Sequence, residues 1–198
     1  MKWTPLWFSK REGLTLSQIM FKDPDWFYWA YDEGVFCGKG KIDKEAEEVY
    51  WKSRNIKIPQ TSSERRIAEY DISPIDGYFA DLEILPISRP RHTGSTLTLR
   101  LPVIDMQVPY QLKGYDKLGN RRLIRRMKYY LFGSTEKRMT KKRCDDFFSN
   151  DDNFKYVNPD MPLHERNKRK YPSLIPPEKR LEATLPRAGR DGGFLKGV

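Results

Sequence analysis

Phe8-Ser9-Lys10-Arg11-Glu12-Gly13-Leu14-Thr15-Leu16-Ser17-Gln18-Ile19, followed by Asp23-Pro24-Asp25-Trp26-Phe27-Tyr28-Trp29-Ala30, decides how this chain begins to fold. Residues 10–13 read as a tight turn closed by glycine. Thr15 or Ser17 then caps a short helix that carries Leu16, Ile19 and Met20 on one face. A second start signal comes at once, with Asp23 as N-cap and Pro24 at the first helical position. Trp26, Trp29 and Ala30 are expected on one side of that second helix, at three-to-four spacing.

Working outward, residues 34–40 (Gly-Val-Phe-Cys-Gly-Lys-Gly) read as a loop. Asp43 then caps a helix running to Trp51, with acids in its first turn and Ala46, Val49 and Tyr50 inside. Residues 54–59 read as an exit strand, and Thr61, Ser62 and Ser63 as a joint. Residues 1–60 are therefore expected to form a small helical module.

This opening resembles the small module found at the C-terminus of exodeoxyribonuclease X-like proteins and in related stand-alone bacterial and phage proteins. The pattern of that family is roughly Phe-Gly-Lys-x-x-Gly, a Leu-x-x-Ile/Leu helix, then Pro-x-Tyr/Trp-Leu/Phe-x-Trp. Phe8, Lys10, Gly13, Leu16, Ile19, Pro24, Trp26, Phe27 and Trp29 match it, while Ser9 stands where the family usually has glycine. In the exonucleases the module accompanies a separate acidic catalytic domain. Nothing in this sequence is similar to that domain, so the resemblance implies a helical module without nuclease activity.

Residues 64–150 are expected to form a strand-rich region that also carries basic helices. Strands are predicted at residues 67–72, 78–85 and 95–101, divided by Pro74 and Asp76-Gly77, then by Pro86, Pro90 and Gly94. Leu97, Leu99 and Leu101 alternate with Thr96, Thr98 and Arg100, the pattern of a half-buried strand in an antiparallel sheet. Residues 103–111 are expected to continue that sheet at an edge or on a bent path, restricted by Pro102 and Pro109. A turn at residues 115–120 then leads into a helix from Arg121 that stops at Gly133. Leu123 or Ile124, Met127, Tyr130 and Leu131 would face inward, with Arg122, Arg125, Arg126 and Tyr129 gathered opposite. A second basic helix begins near Thr140. The fold class is α+β, and residues 151–198 read as a Pro-rich basic tail, extended or disordered alone, that orders against a partner.

Charge narrows the function classes. The chain has 198 residues and a formal net charge of +10, which favours an anionic partner such as nucleic acid. Arg121, Arg122, Arg125, Arg126 and Lys128 are the expected phosphate contacts, with Tyr129 placed to stack on a base. Lys137, Arg138, Lys141, Lys142 and Arg143 would extend the track, and Lys10 and Arg11 are secondary contacts. DNA and RNA are not distinguished by this pattern.

Two cysteines, Cys37 and Cys144, and two histidines, His92 and His164, are too few and too scattered for a structural zinc site. No run of about twenty apolar residues and no signal-peptide core occur, so a soluble, cytoplasmic protein without a membrane partner is expected. Asp76, Asp81 and Glu83 could hold a divalent metal in a nuclease, but Leu85 occupies the usual lysine position. Asp145, Asp146, Asp151 and Asp152 lack EF-hand spacing, and His92 beside Thr93 and Ser95 lacks a third orienting group. No phosphate loop or dinucleotide fingerprint is present. The expectation is a non-enzymatic nucleic-acid-binding subunit of a nucleoprotein assembly from a phage, plasmid or defence system, needing no cofactor. The alternative is an inhibitor or adaptor that docks on a nucleic-acid-binding protein through Trp3, Trp7, Trp26, Trp29 and Trp51.

Overall fold

Local capping sets the first two helices. In the computed structural model, which describes residues 3–60, 64–91 and 97–155, Thr15 caps α1 (Leu16–Lys22) through a capping box with Gln18. Asp23 accepts the Trp26 N–H at the start of α2 (Pro24–Asp32), with Pro24 in the first turn. Trp26 and Ala30 are buried, but Trp29 is 38% exposed and does not share their side. At about 100° per residue, Trp26 and Ala30 lie about 40° apart, whereas Trp29 falls about 60° to the far side of Trp26.

The third helix, α3 (Lys41–Ser53), starts before the expected Asp43 cap, after Gly40. Asp43 instead accepts the Gly38 N–H at 3.0 Å from within the first turn. Ala46, Val49 and Tyr50 face the core as the pattern predicts. The segment after α3 is no strand of the sheet. Ile56 makes only isolated bridges, to Ile104 and Phe154, which tie it between two other parts of the chain.

The fold is α+β, with a three-stranded antiparallel sheet in the order β2-β1-β3, built from β1 (Arg66–Ile72), β2 (Phe79–Pro86) and β3 (Leu97–Leu101). Alternation places Ala68, Tyr70 and Ile72 of the central strand on the core side. On the other face Glu69 pairs with Arg100, its cross-strand partner on β3. The expected start of that strand at Ser95, together with His92 and the joint at residues 61–63, lies outside the described residues.

Residues 103–111 do not continue the sheet. Only Ile104 bridges, to Ile56, and the chain then turns into α4 (Val108–Lys113). Pro109 lacks an N–H for a ladder but suits a first helical turn, so the helix wins. The Tyr70 hydroxyl fastens this stretch to the central strand, accepting the Asp105 N–H at 2.6 Å and donating to the Asp105 carbonyl.

The long basic helix, α5 (Lys117–Phe132), begins four residues earlier than its expected start at Arg121. Asp116 is its N-cap and accepts the Gly119 N–H at 2.8 Å. Gly119 is therefore no helix breaker. A Cβ there would stand 2.1 Å from Asp116 Oδ2, so only glycine leaves room for the capping carboxylate. Gly133 ends the helix in the left-handed region, at φ 75°. Thr140 caps α6 (Lys141–Ser149), which turns Cys144, Phe147 and Phe148 toward α1.

Aromatic side chains join these elements. Phe21 of α1 meets Phe132, Phe147 and Phe148 edge-on, and Trp3 donates to Ser149 Oγ at 2.9 Å. One apolar core includes Phe27, Tyr70 and Phe148, and so draws on both sides of residues 61–63. Phe154 is fully buried in it, and the Lys155 N–H donates to the Asn55 carbonyl. The packed fold thus runs to residue 155, five residues into the segment expected to be a tail, whose remainder lies outside the described residues. Both cysteines are free, and burial, aided by the Asp145 charge, pushes the Cys144 thiol up to about 12. No helix among the described residues is long and apolar enough to cross a membrane.

Gly119→Ala is expected to cost about 1–2 kcal/mol, the range for losing a helix N-cap. Urea denaturation followed by circular dichroism reads this directly. Unchanged stability would show that the Asp116 cap does not hold α5.

Candidate nucleic-acid interface

Two apolar residues and one ion pair seat α5. Leu123 and Met127 are fully buried, and the helix packs against β2. The Tyr130 hydroxyl accepts the Ile84 N–H at 3.3 Å. Arg126 forks onto Asp81 of β2, its Nε donating to Oδ1 at 2.6 Å and its Nη2 to Oδ2. Asp81 thereby holds the guanidinium more firmly protonated. Arg126 was expected to hold phosphate, but the structure gives it a carboxylate of its own.

The same pair accounts for one of the acids considered as metal ligands. Asp81 is neutralised by Arg126, and Asp76 accepts the Tyr78 N–H in a turn. Among the described residues no group of three or more His, Cys, Asp or Glu is arranged to hold a metal ion.

The other cations of α5 are not neutralised in this way. The helix contains no acidic residue, and Lys117, Arg121, Arg122, Arg125 and Lys128 form no ion pair or side-chain hydrogen bond with a described residue. Helical spacing aligns Lys117, Arg121, Arg125 and Lys128 in one stripe. That stripe lines a cleft of about 470 Å³, whose facing wall is Phe21, Lys22, Asp23, Pro24 and Asp25 from the α1–α2 corner. A second depression beside it is lined by Ala80, Asp81, Arg122, Arg125, Arg126 and Tyr129. Arg125 belongs to both, and the Tyr129 ring is 54% exposed.

A buried polar junction fixes α5 against α2. Asn120 Nδ2 donates to Asp25 Oδ1 at 2.5 Å and to the Asp116 carbonyl at 3.1 Å. Asp25 also accepts the Asp116 N–H. Burial, reinforced by the charges of Asp23 and Asp116, pushes the Asp25 carboxyl up to about 6, against the pull of those hydrogen bonds. Burial raises Asp116 as well. Two atoms of the junction, Asn120 Oδ1 and Asp116 Oδ2, are buried without a hydrogen-bond partner.

The remaining expected contacts lie elsewhere. Lys137, Arg138 and Lys141 are exposed, whereas Lys142 pairs with Asp146 at 2.7 Å and Arg143 donates to the Arg138 carbonyl. Lys142 and Arg143 line a separate cleft with Lys57, Gln60 and Asp152, not the one beside α5. Lys10 is exposed, but Arg11 pairs with Asp23 and lies 4.2 Å from the centre of the Trp26 ring. Of the five tryptophans expected as docking anchors, Trp3 and Trp26 are buried and Trp51 is half-buried, leaving Trp7 and Trp29 exposed. Lys117, Asn120 and Asp25 were missed. Asp116 three residues before Gly119 is the cap signal that would have brought the first two into the helix.

No protein-family model, curated protein or solved structure matches this chain.

Because the carboxyl of Asp25 binds its proton more tightly in the folded chain than in the unfolded one, its contribution to stability is present at low pH and lost as pH rises through about 6. Asp25→Asn is therefore expected to gain stability relative to the unmodified chain between about pH 4 and about pH 7. Paired urea titrations across that window check it. A difference that does not change with pH would contradict the raised carboxyl.

Proposed function

We propose that this chain is a non-catalytic nucleic-acid-binding protein that works as an accessory factor in a larger nucleoprotein assembly. The observation that supports it is the acid-free helix α5, with an aligned stripe of cations that have no ion-pair partner among the described residues and an exposed tyrosine beside it. A helix intended only for solvent would gain from alternating charges, and this one forgoes them. Arginine and lysine contacts to phosphates release condensed counterions, which gives affinity without reading sequence. Tyr129 adds a stacking surface that any base can use.

A second reading, docking on a protein partner, has Trp7 in its favour. That ring is 65% exposed, packs edge-on against Phe8, and has Lys39 Nζ 5.7 Å from its centre. An exposed aromatic of this kind is typical of a binding anchor.

Replacing Arg121, Arg122 and Arg125 together by alanine should lower affinity for labelled oligonucleotides by at least about tenfold and flatten the salt dependence by about two to three counterions. Fluorescence anisotropy at several salt concentrations measures both. Arg126→Ala should instead loosen α5 from β2, lowering stability with little change in the salt slope. An intact triple variant with unchanged affinity and slope would sink the proposal.

A further inference from the structure

A second basic surface gathers at one end of the sheet, from residues far apart in sequence. Ile56 bridges Phe154 in an antiparallel pairing, with the Lys57 N–H donating to the Asn153 carbonyl and the Lys155 N–H to the Asn55 carbonyl, both at 2.8 Å. Ile56 and Phe154 are fully buried, and alternation leaves Lys57 and Lys155 exposed on the other side. Arg65 and Arg66 stand at the start of the central strand β1. These four cations line one basin of about 320 Å³, with Ile67, Ile87 and Pro102 supplying apolar surface.

The described residues do not balance this charge. No acid among them lines the basin, and none of the four side chains forms an ion pair or hydrogen bond with a described residue. Glu64, next to Arg65 in sequence, accepts the Ser88 hydroxyl instead. Cations often guard the open edge of a sheet, but Arg65 and Arg66 lead into its central strand, which has a neighbour on each side. Like charges gathered in this way repel one another, and an anion held among them removes that cost.

The basin is continuous with the end of α5. Lys57, Ile58 and Gln60 also line the neighbouring cleft of about 790 Å³, and so do Leu131 and Phe132, the last two residues of the helix. Lys142 and Arg143 belong to that cleft, and of its two acids Asp146 is paired with Lys142 while Asp152 is exposed. Resting on the nucleic-acid reading of α5, we propose that the basin is a second phosphate-binding site for the same strand. The strand leaves the helix at Phe132, crosses the shared cleft past Arg143, and places backbone phosphates on Lys57, Arg65, Arg66 and Lys155. Contacts of this kind lengthen the footprint and add affinity without reading sequence.

The test compares a strand that α5 can hold alone with one that reaches the basin. The helix is about 24 Å long, so a strand of about four nucleotides fits along it and one of about twenty runs well beyond. Lys57, Arg65 and Lys155 are replaced together by alanine in the full chain, and both labelled strands are titrated by fluorescence anisotropy at several salt concentrations. The long strand should lose at least about tenfold in affinity and about two to three counterions of salt dependence, while the short strand is held as before. Should that variant fail to fold, Lys57→Ala and Lys155→Ala made singly should each lower the long-strand slope by about one. An unchanged long-strand slope in a folded variant would overturn the basin and leave the α5 track standing. Equal losses for the two strands would overturn the continuous path. Weakened binding in the basin variant, with none on replacing Arg121, Arg122 and Arg125, would bring down the α5 reading and the shared strand with it. No binding of either strand by the unmodified chain would overturn both.

Discussion

Like charge along one helix is the constraint that the rest of this structure answers. Six cations on α5, with no acid among its sixteen residues, repel one another, and an isolated helix of this composition would be poorly stable. The fold offsets this from outside the helix. Leu123 and Met127 are sealed into the core, Asp81 takes one guanidinium, and the Asp116 carboxylate caps the positive end of the helix dipole. Each device acts on the inner side or at the end of α5. The outer stripe keeps its charge.

Position follows from the elements around it. The central strand β1 carries β2 on one side, and β2 supplies both Asp81 and the surface on which α5 lies. From the other direction, the capped corner between α1 and α2 reaches α5 through Asp25 and Asn120. Phe21, just before that corner, is locked among Phe132, Phe147 and Phe148. The two walls of the cleft are therefore parts of one aromatic core, and the spacing between the charged stripe and the acidic corner is set by packing rather than by a loop.

Much of this was legible because the signals are local. Thr15, Asp23 and Thr140 cap the helices they were expected to cap, Gly133 stops α5, and the period-two pattern marks all three strands. The inward face of α5 follows from spacing alone. What the pattern hid depends on distant partners. Gly119 reads as a turn residue until the Asp116 carboxylate is seen pressed against it. Residues 103–111 read as sheet because Val103, Ile104 and Val108 are β-formers, yet Tyr70 and Pro109 direct them into a crossing and a helix. Arg126 is indistinguishable in sequence from Arg122 or Arg125, and only the position of β2 gives it a carboxylate. Asp25 and Asn120 are far apart along the chain, so no local rule joins them.

The most direct test of the account is ultraviolet crosslinking of the full chain to a mixed-sequence oligonucleotide, with the crosslinked peptides identified by mass spectrometry. Adducts within residues 117–132, centred on Tyr129, are the predicted result. Adducts confined to other segments, whether around Trp7, at residues 137–143 or beyond residue 155, with α5 left clean, would contradict it.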